Sequence, residues 1–172
     1  MSYQKTNRQE DSSSRRGIYY LAYAAVIAAL YVVLTLISNS LGLASGAIQI
    51  RISECLTVLP VFTPAAVPGL FLGCLLSNLL TGCLPWDIVF GSLATLLGAF
   101  GTYFFRKWKW TAPLFPILSN MIIVPFILSK VYCLEGSIPY FMLTVGIGEV
   151  ISCGILGFLV LKLLTKYRKW IF

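Results

Sequence analysis

The chain has 172 residues, of which 58% are hydrophobic and only 11% are charged, and its mean hydropathy is +0.86. Uncharged apolar runs of 18 or more residues are typical of membrane-spanning helices and are not expected in soluble domains. The composition therefore predicts one integral membrane bundle, because no soluble block is long enough to form a second domain.

The absence of histidine excludes several kinds of chemistry. Ser-His-Asp and Cys-His catalytic arrangements, His-ligated zinc and His-ligated haem all need an imidazole. No phosphate-binding GxxxxGK[ST] loop occurs either. The five cysteines form no CxxC pair and are interpreted as small buried hydrophobes. The sequence therefore predicts no catalytic centre, no metal ligands and no cofactor.

Six spans are predicted in an all-α bundle. A polar tail ending in "SSSRR" precedes them and is expected to be disordered. A cleaved signal peptide is disfavoured because the first apolar run is too long for a signal core. The breakers in "PVFTPAAVPG" divide one long apolar stretch into spans 2 and 3. The predicted spans are Ile18–Ile37, Ile52–Phe62, Ala65–Leu80, Ile88–Phe105, Leu114–Leu128 and Tyr140–Leu164.

The connecting segments and the tails complete this organisation. The loops are "SNSLGLASGA" after span 1, the turn "TGCLPWD", the basic aromatic loop "RKWKWTAP" and the turn "YCLEGSIP". The chain is thus divided into an N-terminal tail (1–17), a six-helix membrane domain (18–165) and a C-terminal tail (166–172). Span 6 is longer than a bilayer needs and is expected to tilt or project.

The basic residues test the topology, since six spans place both termini on one side. Of the 13 Lys and Arg residues, all but two lie before span 1, between spans 4 and 5, or at the end of the chain from Lys162 onward. The two exceptions are Arg51 and Lys130. Because Lys and Arg concentrate on cytoplasmic loops, that face and both termini are predicted to be cytoplasmic.

Ionisable residues near the outer ends of the spans are candidates for ligand binding, because a charge at membrane depth is costly and is a functional candidate by default. They are Arg51, Glu54, Asp87, Lys130 and Glu135. Glu149 lies deeper, in span 6, between the small residues of "VGIG" and "ISCG" that leave room for a neighbour or a ligand. A structural ion pair is the alternative for Arg51 and Glu54, which lie three residues apart.

Two amides and an aromatic residue extend this set. Asn78 and Asn120 need hydrogen-bond partners in hydrocarbon, and either a ligand or another helix could supply them. Trp86, with Tyr132 and Tyr140, lies at the outer boundary, where it serves as an interfacial anchor or stacks on a planar ligand. Together these groups predict a small outward-opening polar cavity, suited to a planar heterocycle with several donors and a cationic tail.

Span 1 carries two overlapping AxxxA pairs in "AYAAVIAAL", formed by Ala24 with Ala28 and by Ala25 with Ala29. Small residues four apart make a flat stripe that another helix can approach closely. That helix belongs either to a partner protein or to this bundle.

A histidine-free chain of six spans with AxxxA pairs in the first resembles the substrate-binding S components of energy-coupling factor (ECF) transporters. Three blocks appear in order: "QIRISECLTVLPVFTPAAVPGLFLGCLLSNLL", "PWDIVFGSLATLLGA" and "LTVGIGEVISCGILG". They resemble the queuosine-precursor members of that family, and the resemblance covers about residues 18–164.

The resemblance implies a non-enzymatic subunit in a bacterial plasma membrane that binds a 7-deazaguanine, such as preQ1, from outside. A transmembrane T subunit and two ATPase subunits would power release inside, and no nucleic acid would be bound. The alanines of span 1 would dock on the T subunit, which here means Ala24, Ala25, Ala28 and Ala29. The polar positions in the matching blocks are Arg51, Glu54, Asn78, Asp87 and Glu149, whereas Asn120 lies in a less distinctive stretch.

The chemistry of such a ligand gives a hypothesis for each role. One carboxylate can accept both adjacent donors of a guanine edge, and an ammonium group needs a second carboxylate. Glu149 is assigned the guanine edge, and Asp87 or Glu54 the ammonium, with an exchange between Glu149 and Glu54 left open. Arg51 either holds a carboxylate or stacks on the ring.

Three other functions stay open at this point. The chain could be an S component for a pterin, a flavin or thiamine. It could be an autonomous proton-coupled carrier with Glu149 as the proton site, or a membrane enzyme that uses a Glu or Asp acid–base pair. Ligand competition, uptake without ATPase partners and chemical change of the substrate distinguish these possibilities.

Overall fold

The computed structural model describes the backbone of residues 2–43 and 48–171, and the side chains of residues 15–43 and 48–167. All regular structure in these ranges is helical. The α-helices are α1 (Ser2–Ser40), α2 (Ala66–Leu80), α3 (Pro85–Phe104), α4 (Leu114–Lys130), α5 (Ile138–Glu149) and α6 (Gly157–Ile171). A 3₁₀ helix covers Ile52–Val61, a single 3₁₀ turn covers Lys109–Thr111, and a π-helical segment, Val150–Leu156, joins α5 to α6.

Four helical stretches are long and apolar enough to cross a membrane: Arg15–Ser40, Pro85–Phe104, Lys109–Lys130 and Ile138–Tyr167. The 3₁₀ helix and α2 are apolar but shorter. At a rise of ~2.0 Å per residue in a 3₁₀ helix and ~1.5 Å in an α-helix, each extends ~20 Å, less than the ~30 Å of a hydrocarbon core. Each predicted span lies in a helical part of the chain, and span 6 comprises α5, the π-helical segment and α6. Six complete membrane crossings remain a prediction.

Small residues bring α1 and α2 into close contact along what we call the small-residue seam (Ala24, Ala28, Gly69 and Gly73). A Cβ added at Gly69 would lie 2.7 Å from the Ala24 carbonyl oxygen, and one added at Gly73 would lie 3.0 Å from that of Ala28. Because the residue numbers rise together, the two helices run in the same direction. The 3₁₀ helix between them returns the chain to the end where α2 begins.

Helices α3 and α4 pack in opposite directions. The Ser119 hydroxyl donates to the Ala94 carbonyl (2.6 Å), and the Thr102 hydroxyl donates to the Ala112 carbonyl (2.9 Å). Each bond satisfies a polar side chain inside an apolar bundle, where an unpaired hydroxyl is costly. The two bonds fix the register between the second half of α3 and the start of α4.

The main apolar core lies where α1, α2 and the 3₁₀ helix meet. It includes Ile27, Tyr31, Leu59, Leu70 and Cys74, all of them buried. Many large apolar side chains on the outer faces of the helices are exposed instead. That distribution is expected of a bundle whose outside faces lipid, because lipid chains are as apolar as the interior.

Several predicted boundaries were wrong. Helix α1 begins at Ser2, within the tail expected to be disordered, because extending an existing helix needs no new nucleation. Helix α3 begins at Pro85, so the end of the predicted turn "TGCLPWD" is helical, and Pro is favourable at a first helical position. The predicted loop after span 1 starts later than expected, with α1 ending at Ser40, and its residues 44–47 lie outside the described ranges.

Candidate ligand-binding cavity

A cavity of about 250 Å³ lies at one end of the bundle. Its walls come from the end of α1, the segment before the 3₁₀ helix, the α2–α3 turn and the start of α3. The other walls are α4 from Asn120 onward, the segment after α4 and the end of α5. The polar and sulfur-containing residues lining it are Thr35, Asn39, Gln49, Arg51, Thr81, Cys83, Asp87, Asn120, Tyr132 and Glu149. Such a lining, mixed with Val, Ile and Leu, is typical of a small-molecule site.

Glu149, the last residue of α5, is the deepest carboxylate that lines the cavity. It is 8% exposed. Its Oε1 accepts a hydrogen bond from Asn120 Nδ2 (2.8 Å), and its Oε2 accepts one from the Cys153 thiol (3.1 Å). The partners lie on α4 and in the π-helical segment, so three elements fix the orientation of this carboxylate.

Glu54 lies in the first turn of the 3₁₀ helix, behind the wall of the cavity. It is 1% exposed, and the Tyr31 hydroxyl donates to its Oε1. Tyr31 is fully buried in the core on α1. Glu54 thus belongs to the interior that supports the cavity and does not line it.

Arg51 lies directly before the 3₁₀ helix and lines the cavity. Its Nη2 donates to the Oδ1 of Asn78, which is fully buried at the end of α2 (2.7 Å). Among the described side chains, Arg51 therefore bonds to an amide and not to Glu54, so the ion pair considered as an alternative does not form.

Asp87 and Tyr132 join the start of α3 to the segment after α4 at the mouth of the cavity. The Tyr132 hydroxyl donates to Asp87 Oδ2 (2.8 Å) and accepts a hydrogen bond from the Leu84 backbone N–H (3.4 Å). Burial, together with the hydrogen bond to the Asp87 carboxylate, raises the pKa of the Tyr132 phenol. Tyr132 therefore stays protonated at neutral pH and holds the segment after α4 against the first turn of α3.

The start of the 3₁₀ helix is held by α1, and the segment before it contacts α5. The Thr35 hydroxyl donates to Ser53 Oγ (2.8 Å), and the Ile52 backbone N–H donates to Ser38 Oγ (2.9 Å). The Gln49 carbonyl oxygen lies so near Gly148 that an added Cβ would be 2.1 Å from it. Glycine is therefore required at 148 for this segment to reach the cavity.

The structure distributes the predicted site residues over three positions. Arg51, Asp87, Asn120 and Glu149 line the cavity, Glu54 and Asn78 lie buried behind its wall, and Trp86 is 62% exposed and stacks on Phe90 outside it. Of the four alanines, Ala24 and Ala28 are buried in the small-residue seam, whereas Ala25 and Ala29 are exposed.

Sequence reasoning missed part of the lining. Thr35, Asn39 and Thr81 were not singled out, and Tyr132 was considered only as an interfacial or stacking residue. Each of them lies within a few residues of a helix end, where polar residues are common for many reasons. A polar residue facing the cavity could be recognised only from the direction of its side chain.

A helical membrane bundle with a small, buried, polar cavity at one end is the architecture of a protein that captures a small solute, which places this chain among membrane transport proteins. The model of the QueT transporter family matches residues 21–166, and the chain belongs to that family. It is thus a multi-pass membrane protein of a transporter family.

One curated relative is the queuosine precursor transporter QueT of Lactococcus lactis subsp. cremoris (strain MG1363), 33% identical over 93 residues. The match covers 53% of this chain and 54% of the relative, so the chain spans about half the length of that protein. No solved structure matches the chain significantly.

Proposed function

We propose that this chain is the substrate-binding S component of an ECF-type importer for a queuosine precursor, a 7-deazaguanine such as preQ1. The observation that carries the proposal is the buried Glu149–Asn120 pair facing a cavity of about 250 Å³, in a chain of the QueT transporter family. The relative from Lactococcus lactis is a queuosine precursor transporter, which supports the substrate class.

Glu149 has the hydrogen-bonding capacity that a guanine edge requires. Each carboxylate oxygen has two acceptor sites, and the protein uses one on Oε1 and one on Oε2. Two sites are left for the adjacent N1–H and N2–H₂ donors. The hydrogen bond from Asn120 fixes the Glu149 carboxylate before the ligand arrives, which lowers the entropic cost of binding.

Asp87 suits the aminomethyl ammonium of preQ1 better than Glu54 does. Asp87 lines the cavity, whereas Glu54 lies behind the wall and bonds to Tyr31. The hydrogen bond from Tyr132 leaves Asp87 Oδ1 available to a cation. Arg51, held by Asn78 at the cavity wall, is in the position to stack on the heterocycle.

The opposite end of the bundle suits the cytoplasm and the energising partners. Among the described side chains, Arg15, Arg16, Arg106, Lys107, Lys109, Lys162 and Lys166 lie at the end away from the cavity. By the positive-inside rule that end faces the cytoplasm of a bacterial plasma membrane, and the cavity faces outward. A T subunit would then contact α1 through the exposed Ala25 and Ala29, and two ATPase subunits would drive release.

Equilibrium binding to the purified protein in detergent tests this function. The panel is preQ1, its nitrile analogue, queuine, guanine, riboflavin and thiamine, with the rise in thermal stability as a second readout. Selective binding of a 7-deazaguanine is the expected result. Selective binding of riboflavin or thiamine would replace the substrate and keep the architecture, and no binding by folded protein would contradict the proposal.

A further inference from the structure

Three side chains that ligate metals meet behind the floor of the cavity. A carboxylate oxygen of Glu54, a carboxylate oxygen of Glu149 and the Cys153 sulfur all lie within 4.8 Å of one another. Their exposed fractions are 1%, 8% and 0%. These residues, which we call the Glu–Glu–Cys cluster, come from the 3₁₀ helix, the end of α5 and the π-helical segment.

Among the described side chains, no basic residue donates a hydrogen bond to the carboxylates of the cluster, whose donors are Tyr31, Asn120 and Cys153. Arg51 donates its side-chain hydrogen bond to Asn78 and not to either carboxylate. Within the described residues, Glu54 Oε2 has no hydrogen-bond partner although it is buried. A buried carboxylate oxygen without a donor is costly, so this atom indicates that a positively charged species belongs beside it.

Each member of the cluster is also oriented by a polar neighbour that lies outside it. The Tyr31 hydroxyl donates to Glu54, and the Asn120 amide donates to Glu149 (2.8 Å). Thr57 Oγ1 lies 3.4 Å from the Cys153 sulfur. An outer layer of hydrogen bonds that fixes ligand orientation is characteristic of metal sites in proteins.

The backbone around the cluster is unusual as well. Glu54 lies in a ten-residue 3₁₀ helix, and Cys153 lies in a seven-residue π-helical segment. Long 3₁₀ runs are uncommon, and π-helical turns occur frequently at functional sites. The two irregular helices pack against each other here, with the Cys153 thiol 3.5 Å from the Glu54 carbonyl oxygen.

We propose that Glu54, Glu149 and Cys153 bind one divalent cation of the zinc class. Two carboxylates with a thiolate are ligands that Zn²⁺ accepts, at about 2.0–2.2 Å for oxygen and about 2.3 Å for sulfur. The Cys153 thiol loses its proton to solvent as the metal–sulfur bond forms. Ligand atoms within 4.8 Å of one another need only small side-chain movements to surround one ion. A tetrahedral ion would keep a fourth position for water.

The site is separate from the surface that contacts the solute in the cavity, except at Glu149, which lines the cavity and belongs to the cluster. The inference therefore does not depend on which solute the cavity accepts. It does predict that the ion and a carboxylate-binding solute influence each other through Glu149.

The experiment uses the full chain, purified in detergent through an affinity tag without histidine, and treated with a chelator. Zn²⁺ is titrated with the metal content of the protein as readout. Cd²⁺ then replaces Zn²⁺, because a cadmium–thiolate bond has an ultraviolet charge-transfer band that carboxylate ligands do not produce. The expected result is one ion per chain and a charge-transfer band that appears with the same stoichiometry.

Cys153→Ser should abolish the band, and Cys55→Ser is its matched control. Cys55 is also buried and adjoins Glu54 in sequence, but it is not part of the cluster. Tyr31→Phe removes only the donor to Glu54 and should weaken Zn²⁺ binding by about 10- to 100-fold. That variant keeps the ring in the core, so the test survives if Cys153→Ser fails to fold.

Two results would overturn the proposal. Folded wild-type protein that retains no stoichiometric ion would mean that a proton neutralises the cluster. A charge-transfer band that is unchanged in Cys153→Ser, or lost in Cys55→Ser, would place the ion on another cysteine.

Discussion

The small-residue seam and the polar interior hold helices together by opposite means. In the seam, glycine and alanine let α1 and α2 approach until backbone atoms nearly touch, with no polar side chain involved. The polar interior comprises Tyr31, Glu54, Asn120, Glu149 and Cys153. Its side-chain hydrogen bonds join α1 to the 3₁₀ helix, and α4 and the π-helical segment to the end of α5.

The difference separates stability from function. The small-residue seam has no polar side chain that could bind a solute, so substitutions in it should affect folding alone. The polar interior places two carboxylates where desolvation is costly, and such groups are retained in membranes mainly for function. Variants in the seam should therefore change stability, whereas variants in the polar interior should change ligand binding.

Gly73→Leu should destabilise the protein most. Even a Cβ at this position would lie 2.7 Å from the Cβ of Tyr31 and 3.0 Å from the Ala28 carbonyl oxygen. Overpacking typically costs about 1–3 kcal/mol, and we expect the upper end because both contacts are inside the bundle. Thermal unfolding in detergent measures the loss. Gly17→Leu is the matched control on α1, because nothing lies within 4 Å of a Cβ added at Gly17, and wild-type stability in Gly73→Leu would refute the close approach.

Glu149→Gln should lower ligand affinity by roughly 1.5–3 kcal/mol, the usual value of a hydrogen bond to a charged group. The amide keeps the size of the side chain and one acceptor oxygen, so the unfolding temperature should change little. Isothermal titration with the best ligand of the panel measures the affinity.

Glu135→Gln is the matched control for this loss of a carboxylate, because Glu135 is exposed in the segment between α4 and α5. Affinity that is unchanged in folded Glu149→Gln would remove Glu149 from the binding site. An equal loss in Glu135→Gln would point to long-range electrostatics instead.

Much of the fold could be predicted because apolar length and helix breakers are local properties of the sequence. The breakers around Pro64 separated the 3₁₀ helix from α2 close to their observed limits. The 3₁₀ and π-helical conformations were not predictable in this way. They depend on how Glu54 and Cys153 meet across the bundle, which is a contact between residues 99 positions apart in sequence.

The residue types of the candidate site could be predicted from the sequence, but which of them line the cavity and which are buried behind its wall could not. Ionisable residues in apolar surroundings stood out, and Arg51, Asp87 and Glu149 do line one cavity. Glu54 carries the same signal but points towards Tyr31, and nothing local in the sequence distinguishes the two orientations. Cys153, interpreted as a small buried hydrophobe, donates to Glu149, because its partner lies one helical turn earlier on the same face.

Tyr132→Phe sharpens the comparison at the mouth of the cavity, where a hydrogen bond joins the segment after α4 to the first turn of α3. Loss of the bond to Asp87 should cost about 0.5–1.5 kcal/mol of ligand affinity, the typical net value of one hydrogen bond, because Asp87 is then less well fixed. Dissociation rates of the bound ligand measure the effect. Tyr140→Phe, an exposed tyrosine at the same end, should not change them. Equal rates in all three proteins would show that the mouth does not control the ligand.

Ala28→Leu and Ala29→Leu test the smallest expected effect, because the same substitution is made at neighbouring positions on a buried and an exposed face of α1. Ala28 is buried in the seam, so its replacement should destabilise the protein, whereas Ala29 is exposed and its replacement should change stability by less than about 0.5 kcal/mol.

Ala29→Leu should nevertheless reduce copurification with a T subunit if the exposed alanine pair is the docking stripe, because leucine prevents close helix approach. Thermal unfolding and copurification measure the two effects separately. Normal copurification and uptake with Ala29→Leu would make that face an ordinary lipid-facing surface, and the partner would then have to contact another part of α1.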